Sequence, residues 1–424
     1  MRLSSDHTPE QALAALSVPT ERTPGGMSRR RFLAGLGAAG VAGLVGGPLL
    51  GTRRAGAQAA TDRNLFVLYM NGGTDGFATV MPRGDSVLRT LRPSLLLDPA
   101  QLLDLGDGFG LHPSLRSLHS RFGAGQVALV GGVGASGSLS HFASAADWMA
   151  GTPNPNDASA GTTGWVGRWL DTLGPGDDVP LRATSLTGRV PRMLVGHQSG
   201  GIGIPAGGGS LFGASRGSAL ESGLFSMIEG WGSGATGTTG RDHAATVGGT
   251  AASLATQVGT VLNPTPKGAA ASGVLAARLF NDPGLGCRTV FAATASFDHH
   301  ADLVAGHAAR LADVDAIIDG LFASLTPDAA SRTVALVFSE FGRRARVNGT
   351  AGTDHGTAGY AFLVGPPVQG GVHGDHLDPT RLDGNGNPYA TVRHLDLIGT
   401  VLRWLGTDAD HVVGTATQDL RLFA

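Results

Sequence analysis

Short apolar runs alternate with helix-periodic segments along most of the chain. The runs are continuous, rich in Val, Leu, Ala and Phe, and closed by glycine or polar residues, so they predict buried strands. They lie at residues 65–70, 127–130, 288–293, 334–338 and 361–364. Amphipathic segments predict helices over 302–325 and over about 392–405. Apolar strands separated by helices are typical of a mainly parallel sheet covered on both faces, so we expect a three-layer α/β/α fold.

One region interrupts this alternation. Residues 200–249 contain 16 glycines and few long apolar stripes. Such a segment predicts loops and short helices rather than a second core. We expect alanine-rich helices around 244–261 and 268–280 to lead back to the sheet. Residues 58–424 would then form one α/β domain with a Gly-rich insertion, a rim or cap, at about 197–285.

The composition excludes several classes of protein. Hydrophobic residues make up 42% of the 424 residues, which suits a globular core, whereas charged residues make up only 15%. Beyond residue 57 acidic residues outnumber scattered basic ones, so we expect no nucleic-acid partner. Cys287 is the single cysteine, which excludes an intramolecular disulfide and a thiolate metal cluster. Histidine, with 14 positions, is plentiful instead.

The first residues have the features of an export signal. Arg29-Arg30-Arg31-Phe32-Leu33 precedes a weakly apolar run over 34–50, and Ala55-Gly56-Ala57 supplies a small-residue cleavage site. This pattern predicts a twin-arginine signal over residues 1–57, recognised by the twin-arginine export machinery, and a periplasmic, cell-envelope or extracellular location. The run is diluted by glycine and just short of the ~20 residues that a span needs. We therefore expect membrane contact only through an uncleaved signal.

Polar side chains are concentrated in the loops next to the predicted strands. In a parallel sheet, ligands bind at the carboxyl ends of the strands. The side chains expected at this edge are Asp75, Ser140, His141, Asp298, His300, Arg343, Asp354 and His355. Carboxylates and imidazoles with glycine beside them are what divalent metal sites require. We therefore expect a divalent ion, with zinc, manganese and calcium as alternatives.

Five polar residues of the chain also have a purely local structural interpretation. The alternatives are a glycine-rich turn for Asp75, a helix N-cap for Ser140 and for Asp298, an ion pair with Arg343 or Arg344 for Glu340, and a core position for His307. These interpretations treat each loop separately. The gathering of five loops at one edge favours a site instead.

The motifs in these loops resemble those of a known family. They are Gly72-Gly73-Thr74-Asp75-Gly76, Ser140-His141-Phe142, Asp298-His299-His300, Ser339-Glu340-Phe341-Gly342-Arg343 and Gly352-Thr353-Asp354-His355-Gly356. In order and spacing, over about residues 64–406, they resemble the signature blocks of the exported domain-of-unknown-function family numbered 1501. That family is similar in fold to the alkaline phosphatase and sulfatase superfamily. The resemblance therefore implies an alkaline phosphatase-like sheet.

The resemblance also implies roles for these residues. Enzymes of the superfamily bind two metal ions at the sheet's carboxyl edge, which implies Asp75, Asp354 and His355 for one ion and Asp298 and His300 for the other. The superfamily also has a nucleophile, for which Ser140, with His141 beside it, is the best-placed hydroxyl, and a late histidine, for which His373 and His394 are both candidates. From its charge and planar shape, the guanidinium of Arg343 or Arg344 is expected to clamp an anionic substrate. If the first three residues share an ion, their ligand atoms should lie within about 3–5 Å of one another.

Two functions from different classes follow from these expectations. The first is a metal-dependent hydrolase of phosphate or sulfate esters that acts on an anionic small molecule or an envelope substrate. The alternative is a non-catalytic exported binding or scaffold protein that retains the fold. A panel of esters presented to metal-loaded protein distinguishes the two.

Overall fold

The computed structural model describes residues 62–135, 138–154, 162–174, 179, 181–204, 258–259 and 261–424. The predicted signal at 1–57 lies outside these residues. So do most of the predicted insertion and nearly all of the helix expected around 244–261.

The described part of the chain contains fourteen strands and ten α-helices. The strands are β1 (Asn64–Tyr69), β2 (Val80–Pro82), β3 (Leu103–Gly106), β4 (Phe109–Leu111), β5 (Val127–Gly134), β6 (Ala183–Ser185), β7 (Ile202–Gly203), β8 (Thr289–Ala293), β9 (Thr333–Phe338), β10 (Gly342–Val347), β11 (Thr353–Gly356), β12 (Gly359–Val364), β13 (Gly371–Gly374) and β14 (Val392–Arg393). The α-helices are α1 (Gly76–Thr79), α2 (Ser86–Leu91), α3 (Arg116–Gly123), α4 (His141–Ala150), α5 (Trp165–Thr172), α6 (Ala271–Asn281), α7 (Leu303–Ser324), α8 (Pro327–Ser331), α9 (His394–Trp404) and α10 (Ala409–Val413). Short 3₁₀ turns lie at Pro99–Gln101, Arg192–Leu194 and Pro283–Leu285.

Nine strands form the central sheet. Their order is β13-β5-β12-β9-β1-β8-β6-β7, and β14 pairs with β5. β12 runs antiparallel to both of its neighbours, with Phe362 opposite Val337 of β9 and Leu129 of β5. The other pairings described in this sheet are parallel. The predicted mainly parallel sheet is therefore confirmed.

Both faces of the sheet are covered by helices. Successive side chains of a strand point to opposite faces. Phe66 and Leu68 of β1 join one core with α3, α6 and α7, whereas Leu65 and Val67 join a second core with α4, α5 and α9. All four side chains are fully buried. This two-sided burial explains why the strand reads as a continuous apolar run, and it confirms the three-layer α/β/α architecture.

The longest helix, α7, follows the predicted amphipathic segment to within one residue at each end. Its stripe, including Leu311 and Ile318, is buried against the sheet. It begins after Asp302, whose φ of 47° lies in the left-handed region. It ends before Leu325, whose N–H donates to the Leu321 carbonyl. No helix in the described ranges is long and apolar enough to cross a membrane.

A small antiparallel sheet, formed by residues that lie between β1 and β5 in the sequence, was not predicted. It consists of β2, β4 and β3. Leu111 has helical spacing to Leu115, but it belongs to β4, and α3 begins only at Arg116. The reason is Pro113, which favours an extended conformation at the preceding residue. The hairpin β10–β11 and the helix α5 were also not predicted.

Candidate metal centre

The topology of the sheet brings the polar loops to one edge. β1, β5, β8 and β9 run in the same direction, so the loops that follow them meet at the carboxyl edge. β12 runs in the opposite direction, so its beginning lies at this edge as well. The hairpin β10–β11 immediately precedes it, with His355 opposite Arg343. The one reversed strand of the described sheet therefore delivers His355 to the same place as Asp298.

An aspartate in contact with three histidines lies at this edge; we call Asp298, His141, His300 and His355 the imidazole–carboxylate cluster. Asp298 Oδ1 lies 3.1 Å from Nε2 of His300 and 3.2 Å from Nε2 of His355. Asp298 Oδ2 lies 3.4 Å from Nε2 of His141. Ligand atoms of His141, Asp298 and His355 all lie within 4.8 Å of one another. The cluster brings together three predicted metal ligands, Asp298, His300 and His355, with His141, which was expected to be catalytic.

The opposite ring nitrogen of each histidine faces an acceptor. Nδ1 of His141 donates to Glu340 Oε1 at 2.8 Å, and Nδ1 of His355 donates to the Leu139 carbonyl at 2.7 Å. Nδ1 of His300 lies 3.5 Å from Asp354 Oδ1. Such partners fix the tautomer and the orientation of an imidazole. They leave the Nε2 atoms facing Asp298.

Two glycines allow this loop packing. A Cβ at Gly72 would lie 2.7 Å from the Asp298 backbone nitrogen, and a Cβ at Gly73 would lie 2.2 Å from the Phe341 ring. Both glycines also have positive φ angles, 105° and 76°, which L side chains rarely adopt. The Gly72 N–H donates to both Glu340 carboxylate oxygens, at 2.9 and 3.1 Å. Gly72 therefore anchors the carboxylate that orients His141.

The electrostatics of the cluster favour a positive charge. Burial disfavours the imidazolium form of His141, but its contacts with the carboxylates of Asp298 and Glu340 raise its pKa to about 9. Burial also opposes ionisation of Asp298, yet the cluster histidines and Arg343 hold the pKa of this carboxyl far below its usual value. Glu340 is fully buried, and hydrogen bonding to His141 nevertheless lowers its pKa. Two ionised carboxylates thus hold a cation, either a proton or a metal ion, on His141.

Arg343 lies inside the site rather than at its surface. Its side chain is 1% exposed, and its Nη2 donates to Asp298 Oδ1 at 2.5 Å and to the Gly72 carbonyl. Its Nε donates to the Gly73 carbonyl at 2.8 Å, and its Nη1 to the Thr353 carbonyl at 2.8 Å. These bonds use all three guanidinium nitrogens, so no pair of N–H groups is left to bind an anion in a bidentate way.

The expected convergence of Asp75, Asp354 and His355 is wrong, since among the described residues they do not form a group with mutually close ligand atoms. Asp75 is buried and accepts from Arg92 Nη1 at 2.8 and 3.0 Å. It also accepts from the Ala78 backbone and the Thr353 hydroxyl, so it caps α1 and neutralises a buried guanidinium. The carboxylate of Asp354 is instead half-exposed beside His300.

The local alternatives have mixed outcomes. His307 is 1% exposed and belongs to the core, as expected. Glu340 contacts His141 rather than an arginine, and Asp302, not Asp298, precedes α7. Ser140 occupies the N-cap position of α4, but its hydroxyl makes no capping hydrogen bond and the residue is exposed. It lies next to His141 in sequence, and its predicted role as nucleophile stays a prediction.

Two histidines proposed from the resemblance lie outside the cluster. His373 Nε2 lies 3.0 Å from the Gln369 carbonyl, and His394 packs on Trp148 at the start of α9. Sequence reasoning missed the roles of Glu340 and Arg92. Glu340 follows β9 at the same edge as the other candidates, which was a usable signal. Arg92 had none, because its contact with Asp75 depends on how the chain after α2 packs on β10.

Two solved structures align with most of the chain. One is a protein in the alkaline phosphatase superfamily from Vibrio parahaemolyticus, with 14% identity, a TM-score of 0.39, and coverage of 91% of this chain and 76% of that chain. The other is Ps i-CgsB in complex with k-i-k-neocarrahexaose, with 10% identity, a TM-score of 0.38, and coverage of 85% and 75%. No curated protein matches the sequence.

A family model provides the sequence match. It covers residues 242–422, which include Asp298, His300 and His355, whereas His141 lies before them. The expected resemblance is thereby confirmed over this part of the chain. Residues 242–422 are similar to the family described as protein of unknown function (DUF1501).

Proposed function

We propose that this chain is a metal-dependent hydrolase of phosphate or sulfate esters. The observation that carries the proposal is the arrangement of the imidazole–carboxylate cluster. Three Nε2 atoms face one carboxylate, and the opposite nitrogens are turned towards Glu340, the Leu139 carbonyl and Asp354. Histidines that bind metals in proteins almost always have such a partner on the other nitrogen.

The donor atoms fit a divalent transition metal. Nε2 of His141 is buried and has no hydrogen-bond partner among the described residues, although it lies 3.4 Å from Asp298. Its Nδ1–H is donated to Glu340, which leaves the Nε2 lone pair of the neutral ring as a ligand. Imidazole nitrogens with a carboxylate suit zinc or manganese, whereas calcium prefers oxygen ligands throughout.

The protein would position the reacting groups. A divalent ion supplies charge for the ester oxygens and activates a water or hydroxyl nucleophile. Ser140 offers an exposed hydroxyl beside His141. Since Arg343 is bonded internally, Arg344 is the neighbouring cation that can meet an anionic substrate. Its side chain is 34% exposed and lies 3.8 Å from Asp354.

We also propose that this chemistry takes place outside the cytoplasm, in the cell envelope or beyond. The support is the twin-arginine pattern of residues 28–57. That pathway moves folded proteins, so a metal bound before export would arrive with the chain. Fusion of residues 1–61 to a reporter tests this, and replacing Arg29, Arg30 and Arg31 by Lys should keep the reporter in the cytoplasm.

A non-catalytic metal-binding protein is the second candidate. The internal bonding of Arg343 favours it, because the guanidinium expected to hold substrate is committed to protein acceptors. This candidate needs the cluster and the metal but no turnover. Binding of an anionic ligand without hydrolysis is its expected property.

The experiment that tests the first proposal uses the full chain purified without chelator. Bound metal is measured, and aryl phosphates and aryl sulfates are assayed before and after chelation. We expect bound metal and hydrolysis of one ester class, both lost in Asp298→Ala and retained in Asp328→Ala. Asp328 is a suitable control because its side chain is 85% exposed on α8. A metal-loaded protein inert on both esters would support the non-catalytic candidate, and a metal-free protein would contradict both.

A further inference from the structure

We propose that this centre takes a single divalent ion, and that the guanidinium of Arg343 is a built-in substitute for a second one. The inference rests on the proposed metal-dependent function. It replaces the expected pair of ions by one ion and one fixed organic cation. Two observations support it: the oxygen atoms around Arg343, and the ion pair between Asp75 and Arg92.

Arg343 occupies a position lined by oxygen acceptors. The acceptors are the carbonyls of Gly72, Gly73 and Thr353 and the Oδ1 atom of Asp298. Carbonyl and carboxylate oxygens are the ligands that hard divalent cations prefer. The side chain is 1% exposed, so this charge is held away from solvent next to the imidazole–carboxylate cluster. A cation position therefore exists beside the cluster, and the chain fills it with its own side chain.

The carboxylate expected to hold another ion is neutralised in the same way. Asp75 is bound by Arg92, whose side chain is fully buried. Arg92 also donates to the carbonyls of Arg344 and Ala345, at 2.5 and 2.6 Å. Both guanidinium groups thus bind a carboxylate together with backbone carbonyls, which fixes them in place.

Thr353 connects the two arginines. Its hydroxyl donates to Asp75 Oδ2 at 2.9 Å, and its carbonyl accepts from Arg343. A second divalent ion at this edge would have to displace a buried guanidinium or lie against it. Like charges at such distances repel strongly where water is excluded. Arg343 and Arg92 therefore already balance the negative charges of Asp298 and Asp75. The histidines of the imidazole–carboxylate cluster remain to bind one ion.

The stoichiometry of bound metal tests the inference. Native mass spectrometry and elemental analysis of the full chain, loaded with zinc or with manganese and desalted, should give one ion per chain. Two ions per chain would overturn the inference and leave the proposed metal-dependent function intact. No bound ion would overturn both.

An arginine variant provides a second measurement. Removing the guanidinium in Arg343→Ala leaves the oxygen atoms without their cation, so we expect uptake of a second ion, or of millimolar guanidinium from solution. Arg168→Ala is the matched control, because Arg168 also donates to backbone carbonyls, those of Val412 on α10 and of Ala150 and Gly151 at the end of α4 opposite to His141. This variant should keep one ion. A folded Arg343→Ala chain that binds one ion and no guanidinium would contradict the inference. If that variant does not fold, the wild-type stoichiometry decides.

Discussion

Glu340 contributes to the candidate metal centre by orienting His141. It is fully buried, and its two carboxylate oxygens share the Gly72 N–H. It also accepts hydrogen bonds from the Ser339 hydroxyl and from Nδ1 of His141. None of its contacts is local in sequence apart from Ser339. A carboxylate placed behind a metal-binding imidazole orients the ring and increases its basicity.

Glu340→Gln should therefore weaken metal binding without unfolding the protein. The amide keeps an oxygen for the Gly72 N–H but loses the charge that holds His141. We expect the metal Kd to rise by about 10–100-fold, measured by competition with a chromophoric chelator. Asp328→Asn, which removes an exposed carboxylate, should leave the Kd unchanged. An unaltered Kd in Glu340→Gln would show that His141 is not a ligand.

Asp75→Ala should affect stability rather than metal content. The substitution leaves the buried guanidinium of Arg92 without its partner, which costs about 3–5 kcal/mol. We expect the free energy of unfolding in urea to fall by that amount, while the folded fraction keeps its metal. Asp85→Ala removes only an N-cap, the bond from the Leu88 N–H at 2.7 Å, and should cost about 1 kcal/mol. Loss of metal from folded Asp75→Ala would restore Asp75 as a ligand.

Elements that are buried on both faces were predictable, but their direction was not. The run in β12 is as apolar as the run in β9, because both strands lie between helix layers. Parallel and antiparallel central strands bury the same side chains. The reversal of β12 depends on the short hairpin β10–β11 before it. The strands of this hairpin mix buried with partly exposed, largely polar residues and therefore have no continuous apolar signal.

The helix α7 buries a titratable group on its apolar face. The Thr79 hydroxyl donates to the Asp75 carbonyl, so it must accept from Nε2–H of His307. Burial lowers the pKa of His307 to about 3; the charge of Asp75 raises this pKa, whereas His112 and His299 lower it further. The ring is therefore neutral at pH 7, with its proton on Nε2.

This burial makes stability depend on acid pH. The unfolded chain binds a proton at His307 near pH 6.5, well before the folded chain does. The stability from the neutral ring is thus complete above about pH 6.5 and is lost as pH falls, by about 2 kcal/mol at pH 5. We expect His307→Gln to lose less stability than wild type between pH 7 and pH 5, measured by urea unfolding. His411→Gln, at an exposed position on α10, should keep the wild-type slope, and an equal slope in His307→Gln would refute the assignment.

At the scale of the whole molecule, the sequence indicated which loops meet but not which side chains do. The strand runs, interpreted as a mainly parallel sheet, were enough to place five loops at one edge. Within that edge, Asp75 and Asp298 are equivalent as sequence features, since each follows a strand and lies near glycine or histidine. What separates them is Arg92, 17 residues after Asp75, and its position depends on tertiary packing that no local pattern encodes.

The centre joins loops from distant parts of the chain, so bound metal should stabilise the entire domain. His141, Asp298 and His355 follow or precede different strands of the sheet, and an ion that binds only when they are assembled favours the folded state. At a free metal concentration 100 times the Kd, the gain is about 2.7 kcal/mol. We therefore expect chelation to lower the Tm measured by scanning calorimetry, and added metal to restore it. Asp298→Ala should show the same Tm with and without chelator, whereas Asp328→Ala should respond as the wild type does. A Tm that chelation leaves unchanged in the metal-loaded wild type would mean that the ion is held outside this centre.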